Sequence, residues 1–126
     1  MSSQRSILII DSDPNSRWAL EQNVSAAGFP AQAFSSVEDF VFNAPLSAVG
    51  CVVADLTMTG LQGIDLKRLL QAAELDIPVI YLTACDTHES RAAACEVGAA
   101  GCFSKPVDTQ KLLDTIKRVL RFSHRP

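Results

Sequence analysis

Residues 50–55 read Gly-Cys-Val-Val-Ala-Asp, a continuous apolar run that stops on a carboxylate. A strand with one wet face alternates polar and apolar residues, whereas one covered on both faces does not, so this stretch predicts a strand inside a parallel sheet. The pattern recurs on either side. Residues 6–10 (SILII) run into Asp11-Ser12-Asp13, residues 77–83 (IPVIYLT) end on Thr83, and residues 101–104 run into Lys105-Pro106. A shorter run, Ala31 to Phe34, makes the second strand in chain order, and 101–104 the fifth.

Helical patterns separate these runs. Asp13 offers an N-cap oxygen and Pro14 suits the first helical position, where its missing N–H costs nothing. Leu20, Val24 and Ala27 then recur at helical spacing before Gly28 stops the helix. A weaker helix is expected over 36–43, and Leu66, Leu69, Leu70 and Ala73 mark a third. A fourth covers about 87–97 and closes at Gly98, and Leu112, Leu113, Ile116, Val119 and Leu120 form the apolar stripe of a last helix. Five βα repeats with right-handed crossovers predict an α/β fold, an open, doubly wound parallel sheet with five helices on its two faces.

The whole sequence is consistent with one such domain. At 126 residues the chain is long enough for one core and short for two. Hydrophobic residues make up 48% and charged residues 20%, without an apolar run near the roughly 20 residues of a membrane span. The polar opening MSSQRS lacks the apolar stretch of a secretory signal, so the expected location is cytoplasmic. A net charge of −3 gives no electrostatic reason to expect nucleic-acid binding. Cys51, Cys85, Cys95 and Cys102 form no C-x-x-C pair and are read as buried small hydrophobes. His88 and His124 are given no chemistry.

In open α/β sheets the chemistry gathers beyond the carboxyl ends of the strands. Here Asp11-Ser12-Asp13, Asp55, Thr83 and Lys105 fall at four such ends and should converge on one polar pocket. A carboxylate attacks a phosphoryl group only if cations neutralise the oxygens that repel it, so acids, a hydroxyl and a lysine form a coherent set. Mg²⁺ is the expected metal because it favours oxygen ligands and commonly takes one or two protein carboxylates beside phosphate oxygens.

Read in order, IIDSDP (9–14), VVADLTMTGLQGIDLKRLL (52–70), YLTAC (81–85) and GAAGCFSKP (98–106) resemble the signature segments of response-regulator receiver domains of two-component signalling. The resemblance spans nearly the whole chain and implies one receiver domain over 1–126, flavodoxin-like and similar to chemotaxis regulators, with strand order 2-1-3-4-5. It makes Asp55 the phosphorylation site, with Asp11 in the metal site through water and the Thr57 backbone oxygen as a further Mg²⁺ ligand. Thr83, Lys105 and the Ala84 N–H would contact the phosphoryl group, Thr57 and Cys85 would tune hydrolysis, and Pro106 would follow a cis bond. The implied activity is self-catalysed phosphoryl transfer and slow autodephosphorylation rather than turnover of a substrate. The implied partners are a histidine kinase or phosphotransfer protein, and a homodimer through the 87–97 helix, the fifth strand and the last helix.

Two departures stand out. Receivers usually place a second acid after the first strand, and here that place holds Ser12, a weaker ligand for a hard cation. Whether Ser12 or Asp13 substitutes is left open by the residues, and Mg²⁺ should bind weakly. Cys102 stands where receivers usually carry a Tyr or Phe switch residue. Phe103 is adjacent, but successive strand side chains face opposite sides, so it cannot take that place. These departures favour an alternative, a degenerate receiver acting through protein contacts without phosphorylation. A third reading starts from Asp11-x-Asp13, which resembles the nucleophile motif of haloacid-dehalogenase-type phosphatases. Such enzymes need a later acidic metal motif, and only Asp108 and Asp114 follow, both expected in the last helix.

Overall fold

The computed structural model describes residues 6–43, 49–55, 63–72, 75–83, 92 and 98–123. Its elements, in chain order, are β1 (Ser6–Ile10), α1 (Pro14–Ala26), β2 (Ala31–Phe34), α2 (Val37–Asn43), β3 (Val49–Asp55), α3 (Gly63–Ala72), β4 (Val79–Thr83), β5 (Gly101–Ser104) and α4 (Thr109–Ser123). The helix expected over 87–97 falls outside the described residues except for Ala92. Five parallel strands form one sheet in the order β2-β1-β3-β4-β5. This is the flavodoxin-like order, with four helices among the described residues.

Alternation along each strand splits the core into two layers. Ile7, Ile9, Cys51, Val53, Ile80 and Leu82 point to the face covered by Leu20 and Val24 of α1 and Leu112 and Ile116 of α4. Leu8, Ile10, Val52, Ala54, Val79 and Tyr81 point to the other face, under Val37 and Phe40 of α2 and Leu66 and Leu70 of α3. Phe34 and Phe40 meet edge to face at 5.9 Å, tying β2 to α2. All seven residues of β3 are buried, the physical basis of its unbroken apolar sequence. Fully burying one Ile, Leu or Val side chain contributes about 1.5–3 kcal/mol, so these two layers are the main source of stability.

Local signals explain most boundaries. The Asp13 side chain accepts the Asn15 N–H at 3.2 Å with Pro14 opening α1, and Gly28, at φ +97°, lets the chain turn after it. Ser36 caps α2, accepting the Asp39 N–H on its hydroxyl at 3.0 Å, so that helix starts at Val37 rather than at 36. β4 begins at Val79, two residues after the expected start, because Pro78 has no N–H for the ladder. Asp108 lies outside α4: its carboxylate accepts the Lys111 N–H at 3.2 Å and so caps the helix, correcting the expectation that it falls within. Among the described residues no helix is long and apolar enough to cross a membrane.

Candidate functional site

The register brings the strand ends to one level. Ile10 pairs with Ala54, Asp55 with Leu82, Leu82 with Phe103, and Thr83 with Ser104, so Asp11, Asp55, Thr83 and Lys105 all arrive at the carboxyl edge of the sheet. In sequence parity Asp11 continues Ile9, Asp55 continues Val53, and Lys105 continues Phe103. All three therefore belong to the side covered by α1 and α4.

Both acids are nearly inaccessible, Asp11 at 1% and Asp55 at 6% exposure, and Thr83 is fully buried. An isolated buried carboxylate is costly, and one ammonium answers both. Lys105 Nζ donates to Asp11 Oδ2 at 2.8 Å and to Asp55 Oδ2 at 2.9 Å. Its backbone N–H donates to the Thr83 carbonyl at 2.8 Å, which fixes the lysine against the end of β4. The Lys105–Pro106 peptide bond is cis. Burial works against the ammonium, but its hydrogen bonds to Asp11 and Asp55, reinforced by the two negative charges, outweigh that and hold its pKa above the ordinary lysine value of 10.5.

Asp11 is gripped from α1 as well. Oδ1 accepts the Asp13 N–H at 2.9 Å, Oδ2 accepts the Ser16 hydroxyl at 2.6 Å, and Arg17 Nη1 donates to the Asp11 carbonyl at 2.8 Å. Sequence reasoning passed over Ser16 and Arg17. The signal was available, since Asp13-Pro14 starts a helix whose first turn must face the end of β1. A cleft of about 520 Å³ opens beside the site, lined by Asp13, Ser16, Ala19, Lys105 and Pro106 among others.

Ser12 and Asp13 are both exposed, and Asp13 serves as the cap of α1, so neither supplies a carboxylate to the buried pair. Among the described residues no three His, Cys, Asp or Glu side chains gather as a metal cluster. Thr57, Ala84 and Cys85 lie outside the described residues, as do Cys95, His88 and His124. Cys102 and Phe103 pack on opposite layers, Cys102 against the layer that holds Tyr81 and Ala54 and Phe103 against the layer that holds Ile80 and Leu82. Cys51 is buried as expected, and burial pushes its thiol up to about 12. Cys102 is only half-buried, a correction that follows from its place on an edge strand.

A doubly wound parallel sheet that gathers two acids, a threonine and a lysine at its carboxyl edge defines a class, the receiver domains of signalling proteins. The family model of the response regulator receiver domain matches residues 7–117. The chain belongs to that family. It is 30% identical over 124 residues to the response regulator protein TodT of Pseudomonas putida, covering 98% of this chain and 55% of TodT. It is 29% identical over 121 residues to the transcriptional regulatory protein FixJ of Bradyrhizobium diazoefficiens, covering 96% of this chain and 59% of FixJ. The crystal structure of FixJ-N superposes with a TM-score of 0.88 at 25% identity, covering 99% of this chain and all of that one (100%). The chain thus spans somewhat more than half the length of these curated relatives.

Proposed function

We propose that this domain, in the cytoplasm, takes a phosphoryl group from a phosphohistidine of a histidine kinase or phosphotransfer protein onto Asp55. The observation that carries the reading is Lys105 Nζ, within 2.9 Å of the Asp55 and Asp11 carboxylates at once. In the transfer an Asp55 oxygen forms the new bond to phosphorus as the donor's P–N bond breaks, and the departing imidazole takes up a proton. Lys105 then exchanges its carboxylate contact for the phosphoryl oxygens, and the Thr83 hydroxyl donates to another of them. Hydrolysis returns Asp55 and releases orthophosphate.

The donor set fits a hard divalent cation in kind, because its nearly buried ligands are carboxylate oxygens and no sulfur or imidazole competes at the described strand ends. Asp11 and Asp55, with the Thr57 backbone oxygen implied by the family, would hold Mg²⁺, which when bound neutralises the phosphoryl oxygens against the attacking carboxylate. Ser12 leaves the pocket one acid short, so we expect weak Mg²⁺ binding. The output is a change in partner or dimer contacts through the 87–97 segment, β5 and α4. The names of TodT and FixJ support a role within a larger regulator, without nucleic-acid or membrane contact by this domain itself.

Exposed Ser12 also favours a second reading, a degenerate receiver that signals through contacts alone. Beryllofluoride, which mimics a phosphoryl group on aspartate, separates the two. A change in the tryptophan or circular-dichroism spectrum that needs both beryllofluoride and Mg²⁺ is expected. An identical spectrum with and without them would favour the degenerate receiver.

A further inference from the structure

Ser16 lies outside the four signature segments, yet it makes the shortest described contact to the acidic pair. Among the described residues the Asp11 carboxylate accepts three hydrogen bonds from other groups: Asp13 N–H on Oδ1 at 2.9 Å, and the Ser16 hydroxyl and Lys105 ammonium on Oδ2 at 2.6 and 2.8 Å. A carboxylate offers about two lone-pair sites on each oxygen. Oδ2 is therefore filled, and Oδ1 keeps one site.

We propose that Ser16 is a positioning residue that closes Asp11 Oδ2 to a divalent cation and so sets how tightly this domain holds Mg²⁺. The inference rests on the receiver reading of the site. A hydroxyl aimed at a carboxylate oxygen turns the positive end of its dipole to the place a cation would approach, lowering the negative potential there. A doubly charged ion loses more from this than the singly charged Lys105 ammonium does. The hydroxyl therefore favours the lysine-bridged arrangement over the metal-bound one. With Ser12 in place of a second acid, two carboxylates already share one ammonium, so a single donor on Asp11 carries unusual weight. Anchoring of the main chain here falls to other groups: Arg17 holds the Asp11 carbonyl at 2.8 Å and the Asp13 N–H holds Oδ1. That leaves the Ser16 hydroxyl to act on the carboxylate itself.

Calorimetric titration of the unphosphorylated protein with MgCl₂ tests this on the wild type, Ser16→Ala and Ser16→Thr, with folding of each checked by circular dichroism. Ser16→Ala should bind Mg²⁺ roughly three- to tenfold more tightly, the equivalent of one ordinary hydrogen bond net of solvation. The metal-free Ser16→Ala protein should melt at a lower temperature, and Ser16→Thr, which keeps the hydroxyl, should match the wild type in affinity. A folded Ser16→Ala protein with unchanged or weaker Mg²⁺ affinity would reduce Ser16 to a structural contact and overturn the proposal alone. Failure of all three proteins to bind Mg²⁺ would overturn it together with the metal assignment of the site.

Discussion

β3 and β5 supply the two ends of the same ion pair from opposite environments. β3 lies at the centre of the sheet with all seven residues buried, and it delivers Asp55 on a backbone that packing holds in place. β5 is an edge strand, four residues long, with three half-buried and one exposed, and it delivers Lys105 on a long side chain whose backbone N–H is tied to the end of β4. On the proposed function the difference would assign roles: the acceptor carboxylate is presented by the buried centre of the sheet, and the cation that changes partners comes from its half-buried edge. On the proposed function a change at Asp55 would reach the surface most directly through β5, a half-buried edge strand beside the site.

The contrast predicts an order of effects. Ile80→Ala, in the fully buried layer beside Val53, should cost about 2–5 kcal/mol in urea denaturation. Lys105→Ala leaves two nearly buried acids without their shared cation and should cost about 2–3 kcal/mol near neutral pH, below the range for fully buried pairs because the lysine side chain is 18% exposed. The sign of its pH dependence follows from the raised lysine pKa. The stabilisation is complete below 10.5 and is lost as pH rises through the higher folded value, so wild-type stability should fall in that alkaline range while Lys105→Ala does not share the fall. Phe103→Ala, on half-buried β5, should cost only roughly 1–2 kcal/mol. A loss matching that of Ile80→Ala would remove the distinction between centre and edge. The smallest effect concerns the site's charge: Ser12→Asp should tighten Mg²⁺ binding by about tenfold, or about 1.4 kcal/mol. Trp18 is 64% exposed, so calorimetry is a better readout than its fluorescence.

Much of this was legible in the chain because each strand carries its own marker. The apolar runs of 6–10 and 50–55 announce burial on both faces, and Asp13-Pro14 announces where α1 begins. The site was legible because polar residues end four strands, and a parallel sheet brings those ends together. What the sequence concealed was tertiary. Nothing in the pattern says that Lys105 bridges both acids rather than one, since the choice depends on register across four strands. Ser16 was harder to read for a related reason: Asp13-Pro14 marks where the helix starts, but a serine in a first helical turn reads as ordinary until the packing of α1 against β1 aims it at Asp11. Cys102 looked buried from its apolar neighbours, but its strand sits at the edge of the sheet.

On the proposed function, Asp55 accepts a phosphoryl group and its chemistry needs a divalent cation. Intact-mass analysis after incubation with a small phosphodonor, with and without Mg²⁺, tests it on the wild type and Asp55→Asn. One phosphoryl group should appear on the wild type only with Mg²⁺, and none on Asp55→Asn. An unmodified wild type at saturating phosphodonor and Mg²⁺, or equal modification of Asp55→Asn, would contradict the account.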